Sequence, residues 1–508
     1  MWLSLYCSHQ RQQTPQRDSS PSILSAIRQL FVLHQFLSLL LCWIVLFGIP
    51  ARGWAQPPHV VWVVVDSWRW DHAGVYGPHS QFMPLLAERA QTACVFWRAY
   101  ATSSWTKPSV ASMFSGQYPS LHGVTTMQAD MGPNVPHAAE MFSRAGYRTI
   151  AISANAFISR ASGFARGFDK FVDPAELRPP GSKNKVRGEA VVEALDRSLR
   201  EQTKTMPAPL FLYIHLMDPH WPYGPSDAVL SKVLPRFGDP LTLRQVVGEI
   251  YFGTLRLDRD ISLPPVRNAV RALYAAEAAA TDDVLRSLFE ILDRYEVTPN
   301  AVVILTADHG EELFEHDHIG HGRTLHEEVV RVPLMIWFPH QRQRVDVHQL
   351  VSLVDLLPTS LRAARISFRE EQGAFAGQSL TACAPPRWWT QRLSRWFWPP
   401  QCSASDRVVL AELFPLKSEP EHPPVHRAAV VRGTRKLLVG SDRALLGFEV
   451  DGVQDRERPS SLDPSAFQAL EDAWREFEGR ASAAGAKQRE VTPDPATREQ
   501  LRALGYDS

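Results

Sequence analysis

Two apolar runs in this sequence lead straight into side chains that bind metals. In HVVWVVVDSWRWD the run Val60 to Val65 ends in Asp66, and in AVVILTADHGEE the run Ala301 to Thr306 is followed by Asp308 and His309. If both runs are strands, they deliver carboxylates and an imidazole to the C-terminal edge of a sheet, where open α/β folds bind ligands. Two such strand ends can share one divalent ion. Either aspartate alone fits a helix N-cap or a turn equally well; together they favour a metal site. Between them lies ATSSWTKPSVASMFSGQYP, in which Thr106 precedes Lys107, Pro108 and a small-residue segment led by Ser109. A proline there sets a helix start, and the free N–H groups of that start can hold an anion. A threonine hydroxyl is a poor nucleophile at neutral pH unless a metal or base lowers its pKa. Asp66, Asp308 and His309 can supply that metal. Taken alone, Thr106 fits a simple helix cap.

The elements that would position these groups follow from hydrophobic patterning. Val60–Val65, Thr149–Ser153, Leu210–Leu216, Ala301–Thr306 and Val332–Phe338 are short, apolar and without strict alternation. That pattern suits strands of a largely parallel sheet covered by helices on both sides. Helical stretches fall between them at Met83–Gln91, Ser109–Phe114, His137–Ala145, Gly188–Glu201 and Val266–Tyr295. Alternating strands and helices define the α/β class. Residues 222–265 mix proline, glycine and scattered apolar residues and are expected to form an inserted cover. Residues 385–400, PPRWWTQRLSRWFWPP, carry tryptophans and arginines of the kind found at membrane interfaces, although such a loop can equally pack on its own domain. Beyond it, Val408–Glu412 and Ala428–Val439 read as strands, and Ser465–Ala481 as an amphipathic helix.

The amino-terminal region differs from the rest. Arg11, Arg17 and Arg28 precede an apolar run from Phe36 to Ile49, Pro50 ends it, and Gly53 and Ala55 are the small residues a signal peptidase needs. The run is shorter than the ~20 residues of a bilayer span. Extending it back to Leu30 reaches that length but includes His34 and Gln35. The expected organisation is a signal peptide or N-terminal anchor over 1–55, a catalytic domain over 56–384, a Trp/Arg-rich loop over 385–403, and a C-terminal subdomain over 404–508. Either form of leader exports the remainder, to the periplasm or medium or to an outward-facing membrane anchor. Residues 30–49 and the 385–400 loop each offer a membrane contact.

Composition narrows the function. The 508-residue chain has zero formal net charge, so no basic excess exists to neutralise nucleic-acid phosphates, and a nucleic-acid partner is not expected. Five cysteines with no C-x-x-C exclude a disulfide-dense scaffold and a zinc ribbon. Cys94, Cys383 and Cys402 lie outside the leader, and a Cys383–Cys402 bridge is one reading, three unpaired thiols the other.

The segments VVWVVVDSWRWDHAGVYG, ATSSWTKPSVASMFSGQYPSLHGV, FARGFDKF, FLYIHLMDPHWPY, LTADHGEELFEHDHIGHG, LHEEVVRVPLMIWFP, VSLVDLLPT and LRALGY, in that order, span residues 60 to 506. With them the chain resembles the sulfatase family of the alkaline phosphatase superfamily. The resemblance implies an alkaline-phosphatase-like three-layer sandwich, with a mixed, mostly parallel central sheet and a smaller C-terminal α+β subdomain. It also implies hydrolysis of a sulfate or phosphate ester at a divalent metal (Mn, Zn, Ca or Mg). By this resemblance Asp66, Asp308 and His309 match metal ligands, and Thr106 matches the nucleophile, itself close enough to touch the metal. His220 and His321 match positions that contact the substrate group or protonate the leaving oxygen. Asn155, Lys107 and His215 are substrate-contact candidates, with His215 equally a core histidine. A second metal would use Asp218, His220 and His321. His316, His318 and His326 fit loop residues better than ligands.

The departures from the family pattern bear on the chemistry. Formylglycine-forming sulfatases carry Cys or Ser followed by x-Pro-Ser/Ala-Arg, whereas this chain has Thr106-Lys107-Pro108-Ser109-Val110, with Ser67 where a second acidic residue is usual. Hydrated formylglycine expels sulfate by collapsing to the aldehyde. A threonine ester has no such route, so water must attack the central atom, a step familiar at phosphorus. The expected activity is therefore hydrolysis of phosphate or phosphonate mono- or diesters of a small molecule, glycan or lipid in the cell envelope. A phosphoethanolamine-type transferase would use the same residues on an acceptor. A catalytically inactive binding protein is favoured by Val110 at the arginine position and opposed by the Asp66–Asp308–His309 set.

Overall fold

The computed structural model describes residues 56–503 except 78–79, 180–184, 203–207, 253, 256–259, 261, 368–375, 384–406, 415–425, 451–456, 460–461 and 486–494. The leader 1–55, the 385–403 loop and Cys402 therefore lie outside the described residues. Cys383 is disulfide-bonded, and Cys94 is a buried free thiol.

Ten strands belong to the first part of the chain: β1 (His59–Val65), β2 (Cys94–Tyr100), β3 (Arg148–Ser153), β4 (Lys170–Val172), β5 (Leu210–Leu216), β6 (Ala301–Ala307), β7 (Glu312–Leu313), β8 (Ile319–Gly320), β9 (Arg331–Trp337) and β10 (Val345–Ser352). Eight of them form one sheet in the order β10-β2-β9-β6-β1-β5-β3-β4, and β7 pairs with β8 apart from it. Within the large sheet β9 alone runs against its neighbours, β2 and β6; the other pairs are parallel. The sheet is thus mixed and mostly parallel. All five strands read from the sequence are present. The sheet also contains β2, β4 and β10, which were not expected. β2 carries Arg98, β10 alternates with exposed Asp346 and His348, and β4 is three residues long, so none shows a continuous apolar run.

Side chains alternate along a strand, so Trp62 and Asp66 share one face of β1. The Trp62 indole donates to Ser360 Oγ (2.9 Å) and meets the rings of Phe114 and Phe211 at 5.5 and 5.3 Å. Phe114 belongs to the helix Thr106–Ser115. That helix therefore packs on the face toward which Asp66 points. Another helical layer is built from Gly188–Gln202 and the long helix Pro264–Arg294, which pack together. The cover region contains two helices, Asp227–Val233 and Pro240–Tyr251, both packed on the long helix. Ser226 and Asp239 cap them by accepting from Val229 N and Thr242 N.

The C-terminal part is a five-stranded antiparallel sheet in chain order: β11 (Val408–Glu412), β12 (His426–Arg432), β13 (Arg435–Gly440), β14 (Leu445–Val450) and β15 (Glu457–Pro459). The single strand expected over Ala428–Val439 is in fact the β12–β13 hairpin, turned at Gly433, whose φ of 58° suits a residue without Cβ. The helix Pro464–Ala484 buries Leu470, Trp474 and Phe477 against Leu437 and Val439. This unit is tied to the central sheet by polar bonds. Glu412 N donates to Thr102 O (2.8 Å), and Ser120 Oγ donates to Glu412 Oε2 (2.9 Å). Lys436 Nζ lies 2.9 Å from Glu327 Oε1 in a fully buried ion pair, and Tyr100 OH donates to Glu327 Oε2 (3.0 Å). No helix among the described residues is long and apolar enough to cross a membrane.

Removing one member of a buried ion pair strands the other charge. Lys436→Met is expected to lower unfolding free energy by about 3–5 kcal/mol. Denaturant unfolding checks this; a loss below about 1 kcal/mol, the range of exposed pairs, would show that Glu327 does not depend on Lys436.

Candidate active site

Strand register builds the centre of the site. Val65 of β1 pairs with Ala307 of β6, so Asp66 and Asp308 are the next residues on adjacent parallel strands. His215 of β5 pairs with Val64 of β1 and therefore shares the Asp66 face. Asp66, His215 and Asp308 each present a ligand atom within 4.8 Å of the others, and all three are fully buried. His215 Nε2 is 3.1 Å from Asp66 Oδ2, and its Nδ1 is 2.8 Å from the Tyr213 hydroxyl. His309 Nε2 lies 3.7 Å from Asp66 Oδ1 and 3.5 Å from Asp308 Oδ2. Its Nδ1 faces Gly310 O at 2.8 Å, which leaves Nε2 for the centre. Gly310 is required here, because a Cβ would sit 2.0 Å from Glu328 O.

Electrostatics points to a cation. Burial raises the Asp66 carboxyl, but the imidazoles of His220, His215 and His309 outweigh it and hold that group well below the usual carboxylate range. Burial and the charge of Asp66 push Asp308 up, the signature of two carboxylates competing for one space. Asp66 Oδ1 and Asp308 Oδ2 are buried without a hydrogen bond. Two orphaned carboxylate oxygens flanked by imidazoles fit a divalent metal. Ser67, at a left-handed φ of 51°, turns its N–H onto Asp308 Oδ1 (3.2 Å). A strained non-glycine residue directly after Asp66 is the kind of distortion found at functional sites.

Thr106 opens the helix Thr106–Ser115, with Trp105 as the N-cap and no side-chain cap bond. Its hydroxyl is thus not spent on capping. Oγ1 lies 3.5 Å from Asp66 Oδ2, 3.3 Å from His309 Nε2 and 3.4 Å from Asn155 Nδ2. The Asn155 amide also donates to Asp66 Oδ2, and its Oδ1 is fixed by Phe157 N (2.7 Å). Ser109 anchors the helix by donating to Asp308 O (2.6 Å).

Buried His220 and Glu311 and part-buried His321 border this centre. The His321 ring lies 4.4 Å from the His309 ring and 5.1 Å from the His220 ring. His321 Nδ1 is 3.1 Å from Glu311 Oε1. Burial pushes His220 down to about 4 and His321 to about 3, and raises Glu311 to about 7. The His220 segment is gripped by Lys185, whose ammonium donates to His220 O (2.7 Å) and lies 3.4 Å from Glu277 Oε2.

The structure therefore brings together Asp66, Thr106, Asn155, His215, Asp308 and His309, with His220 and His321 at the rim. His215 lies among the buried carboxylates that could hold a metal, with Nε2 3.1 Å from Asp66 Oδ2. Lys107 is not brought to this group: its ammonium donates to Met127 O (2.7 Å) beside a cavity lined by Ala156, Ser162 and Leu501. Asp218 is likewise committed elsewhere, to Arg187 Nη1 (3.1 Å) and Gly188 N (2.8 Å). His316 and His326 stack on each other at 3.5 Å, with His316 Nε2 3.5 Å from Glu328 Oε2. Glu311 was missed in the sequence. An acidic residue two positions after Asp308–His309, at the exit of a fully buried strand, was the available signal.

A buried Asp–His–Asp group at the C-terminal edge of a mostly parallel sheet, beside a helix-start hydroxyl, defines an alkaline-phosphatase-like ester hydrolase. The sequence matches the sulfatase family over residues 58–366, and the chain belongs to that family. Arylsulfatase K of Canis lupus familiaris is 27% identical over 386 residues, covering 69% of this chain and 70% of the relative. Among solved structures, the phosphonate monoester hydrolase SpPMH from Silicibacter pomeroyi is similar at a TM-score of 0.57 and 19% identity, covering 84% of this chain and 96% of that one. BT4656, solved with its substrate D-glucosamine-2-N,6-O-disulfate, is similar at a TM-score of 0.60 and 14% identity, covering 84% and 99%. The chain is an ester hydrolase of a metal-dependent family, and its Asp66–His215–Asp308 group can hold a metal.

If His215 contributes to that group, His215→Ala is expected to weaken divalent-metal affinity about 10–100-fold. Equilibrium dialysis with zinc and manganese measures this, and unchanged affinity would put His215 outside the metal's reach.

Proposed function

We propose that this chain is an exported hydrolase that uses Thr106 as its nucleophile and prefers phosphodiesters or phosphonate esters to sulfate esters. The observation that carries the reading is the Thr106 hydroxyl, free of any capping role and 3.3–3.5 Å from His309 and Asp66. Asp66, His215, Asp308 and His309 would hold a divalent ion. Two imidazoles with two carboxylates favour zinc or manganese over calcium or magnesium. When bound, such an ion lowers the pKa of a neighbouring hydroxyl and offsets negative charge on the reacting ester.

The chain's own residues then have distinct tasks. Thr106 gives up its hydroxyl proton to solvent, Oγ1 attacks the central atom and is esterified to it, and the bond to the leaving oxygen breaks with its electron pair on that oxygen. Asn155 holds Asp66 and stands within 3.4 Å of that same oxygen, so it steadies the nucleophile. His321, with His220 beside it, faces the leaving oxygen and donates the proton it needs. Water then attacks the central atom of the Thr106 ester. Phosphorus accepts this second attack more readily than sulfur does, which supports a phosphate or phosphonate preference. The fold likeness to a phosphonate monoester hydrolase agrees with that choice. The likeness to Arylsulfatase K and to a glucosamine disulfate-binding structure supports a sugar or aryl group on the leaving side. Export rests on the basic–apolar–small pattern of residues 1–55.

Thr106→Ala should lower kcat by about ten-thousandfold or more while retaining bound metal, measured by turnover and by metal analysis of the same sample. Retained activity would remove Thr106 from the reaction. On the wild type, kcat/KM for a p-nitrophenyl phosphonate monoester and a bis-p-nitrophenyl phosphodiester should exceed that for p-nitrophenyl sulfate; the reverse order would overturn the phosphorus preference.

A further inference from the structure

We infer that Leu501 is a positioning residue for the active site: from the helix Pro495–Ala503 it supports Phe157, and through Phe157 it fixes Asn155 beside Thr106. The inference rests on the nucleophile role of Thr106 proposed above. Three elements meet at one small cavity. Lys107 comes from the first turn of the helix that starts at Thr106, Phe157 and Ser162 come from the segment after β3, and Leu501 comes from Pro495–Ala503. Leu501 is 1% exposed and belongs, with Phe157 and Trp105, to one continuous apolar core.

Phe157 is linked to the reactive centre in two ways. Its N–H donates to Asn155 Oδ1 (2.7 Å), the turn that an asparagine side chain makes with the backbone two residues on. Its ring meets Trp105 edge-on at 5.7 Å and 72°, and Trp105 is the N-cap of the helix that opens with Thr106. With its oxygen held in this way, Asn155 turns its amide nitrogen to the centre. There Nδ2 donates to Asp66 Oδ2 and stands 3.4 Å from Thr106 Oγ1. Ser162 Oγ donates to Phe157 O (2.6 Å) and Ile158 N to Asn155 O (3.0 Å), so the turn is also knit along its own backbone. Leu501 adds the apolar wall that this turn cannot supply for itself. Truncating that side chain widens the cavity beside Phe157, and the surroundings of such a void relax partly into it. A shift of Phe157 carries Asn155 Oδ1 with it, and a misplacement of about 1 Å at a group facing the reacting atom slows the chemistry.

The test is a double-mutant cycle with a control for stability. Leu501→Ala and Leu501→Met are compared with Asn155→Ala and with the double variant Asn155→Ala/Leu501→Ala. The control is Leu470→Ala. Leu470 is just as buried, on the helix Pro464–Ala484, but packs in the separate apolar cluster of the C-terminal sheet. Each variant is assayed on the p-nitrophenyl ester that the wild type turns over fastest, well below its own thermal midpoint, with metal content measured on the same sample. Leu501→Ala should lose kcat about 10–100-fold with KM and metal content unchanged, and Leu501→Met should recover most of it. Leu470→Ala should keep the wild-type kcat despite a lower midpoint. Once Asn155 is alanine, Leu501→Ala should cost nothing further. Leu501→Val, a milder truncation, carries the comparison if Leu501→Ala does not fold. Wild-type kcat in the Leu501 variants, a loss matched by Leu470→Ala, or a loss that adds in full to that of Asn155→Ala would overturn the inference. Wild-type kcat in Asn155→Ala would instead remove Asn155 from the proposed reaction, and the inference with it.

Discussion

Everything at this site depends on two fully buried carboxylates held one strand spacing apart. Adjacent strands lie about 4.8 Å apart, and the β1–β6 register places Asp66 and Asp308 side by side. Like charges so close, without solvent, repel strongly. Imidazoles relieve part of the strain: His220 from the loop after β5, His215 from β5 and His309 from the loop after β6 all lower the cost of keeping Asp66 ionised. The orphaned oxygens that remain are what make the site receptive to a cation.

The scaffold sets the Thr106 hydroxyl beside that centre, 3.5 Å from Asp66 and 3.3 Å from His309. The helix beginning at Thr106 packs through Phe114 onto the Trp62 face of β1, the same face that presents Asp66. One alternation of side chains therefore orients both the ligand and the helix that carries the hydroxyl. Ser109 ties the start of the helix to the backbone of Asp308 at the end of β6.

The sequence made some of this legible and hid the rest for identifiable reasons. β1, β3, β5, β6 and β9 are apolar on both faces and announce themselves. β2 and β10 lie toward one side of the sheet and interrupt their apolar pattern with Arg98, Asp346 and His348, so local patterning gives no warning of them. Asp66, Asp308 and Thr106 were readable because they stand at the ends of elements. His215 lies inside a strand, and only the pairing with Val64 reveals which face it takes. Lys107 was misleading because a position next to a nucleophile says nothing about direction, and one helical step turns the side chain away toward Met127. Glu311 was hidden by its neighbours, since a run of charged residues reads as a solvated loop until the fold closes over it.

The clasp between Glu412 and the Thr102–Ser120 stretch has a temporal meaning. A ribosome makes the loop that carries Thr106 early and the strand that braces it about three hundred residues later. Domains tend to fold as units during synthesis, yet this unit has its first and last parts stitched together around the reactive hydroxyl. A newly made chain thus carries Asp66, Thr106, Asp308 and His309 well before it carries the strand that clasps the Thr102–Ser120 stretch.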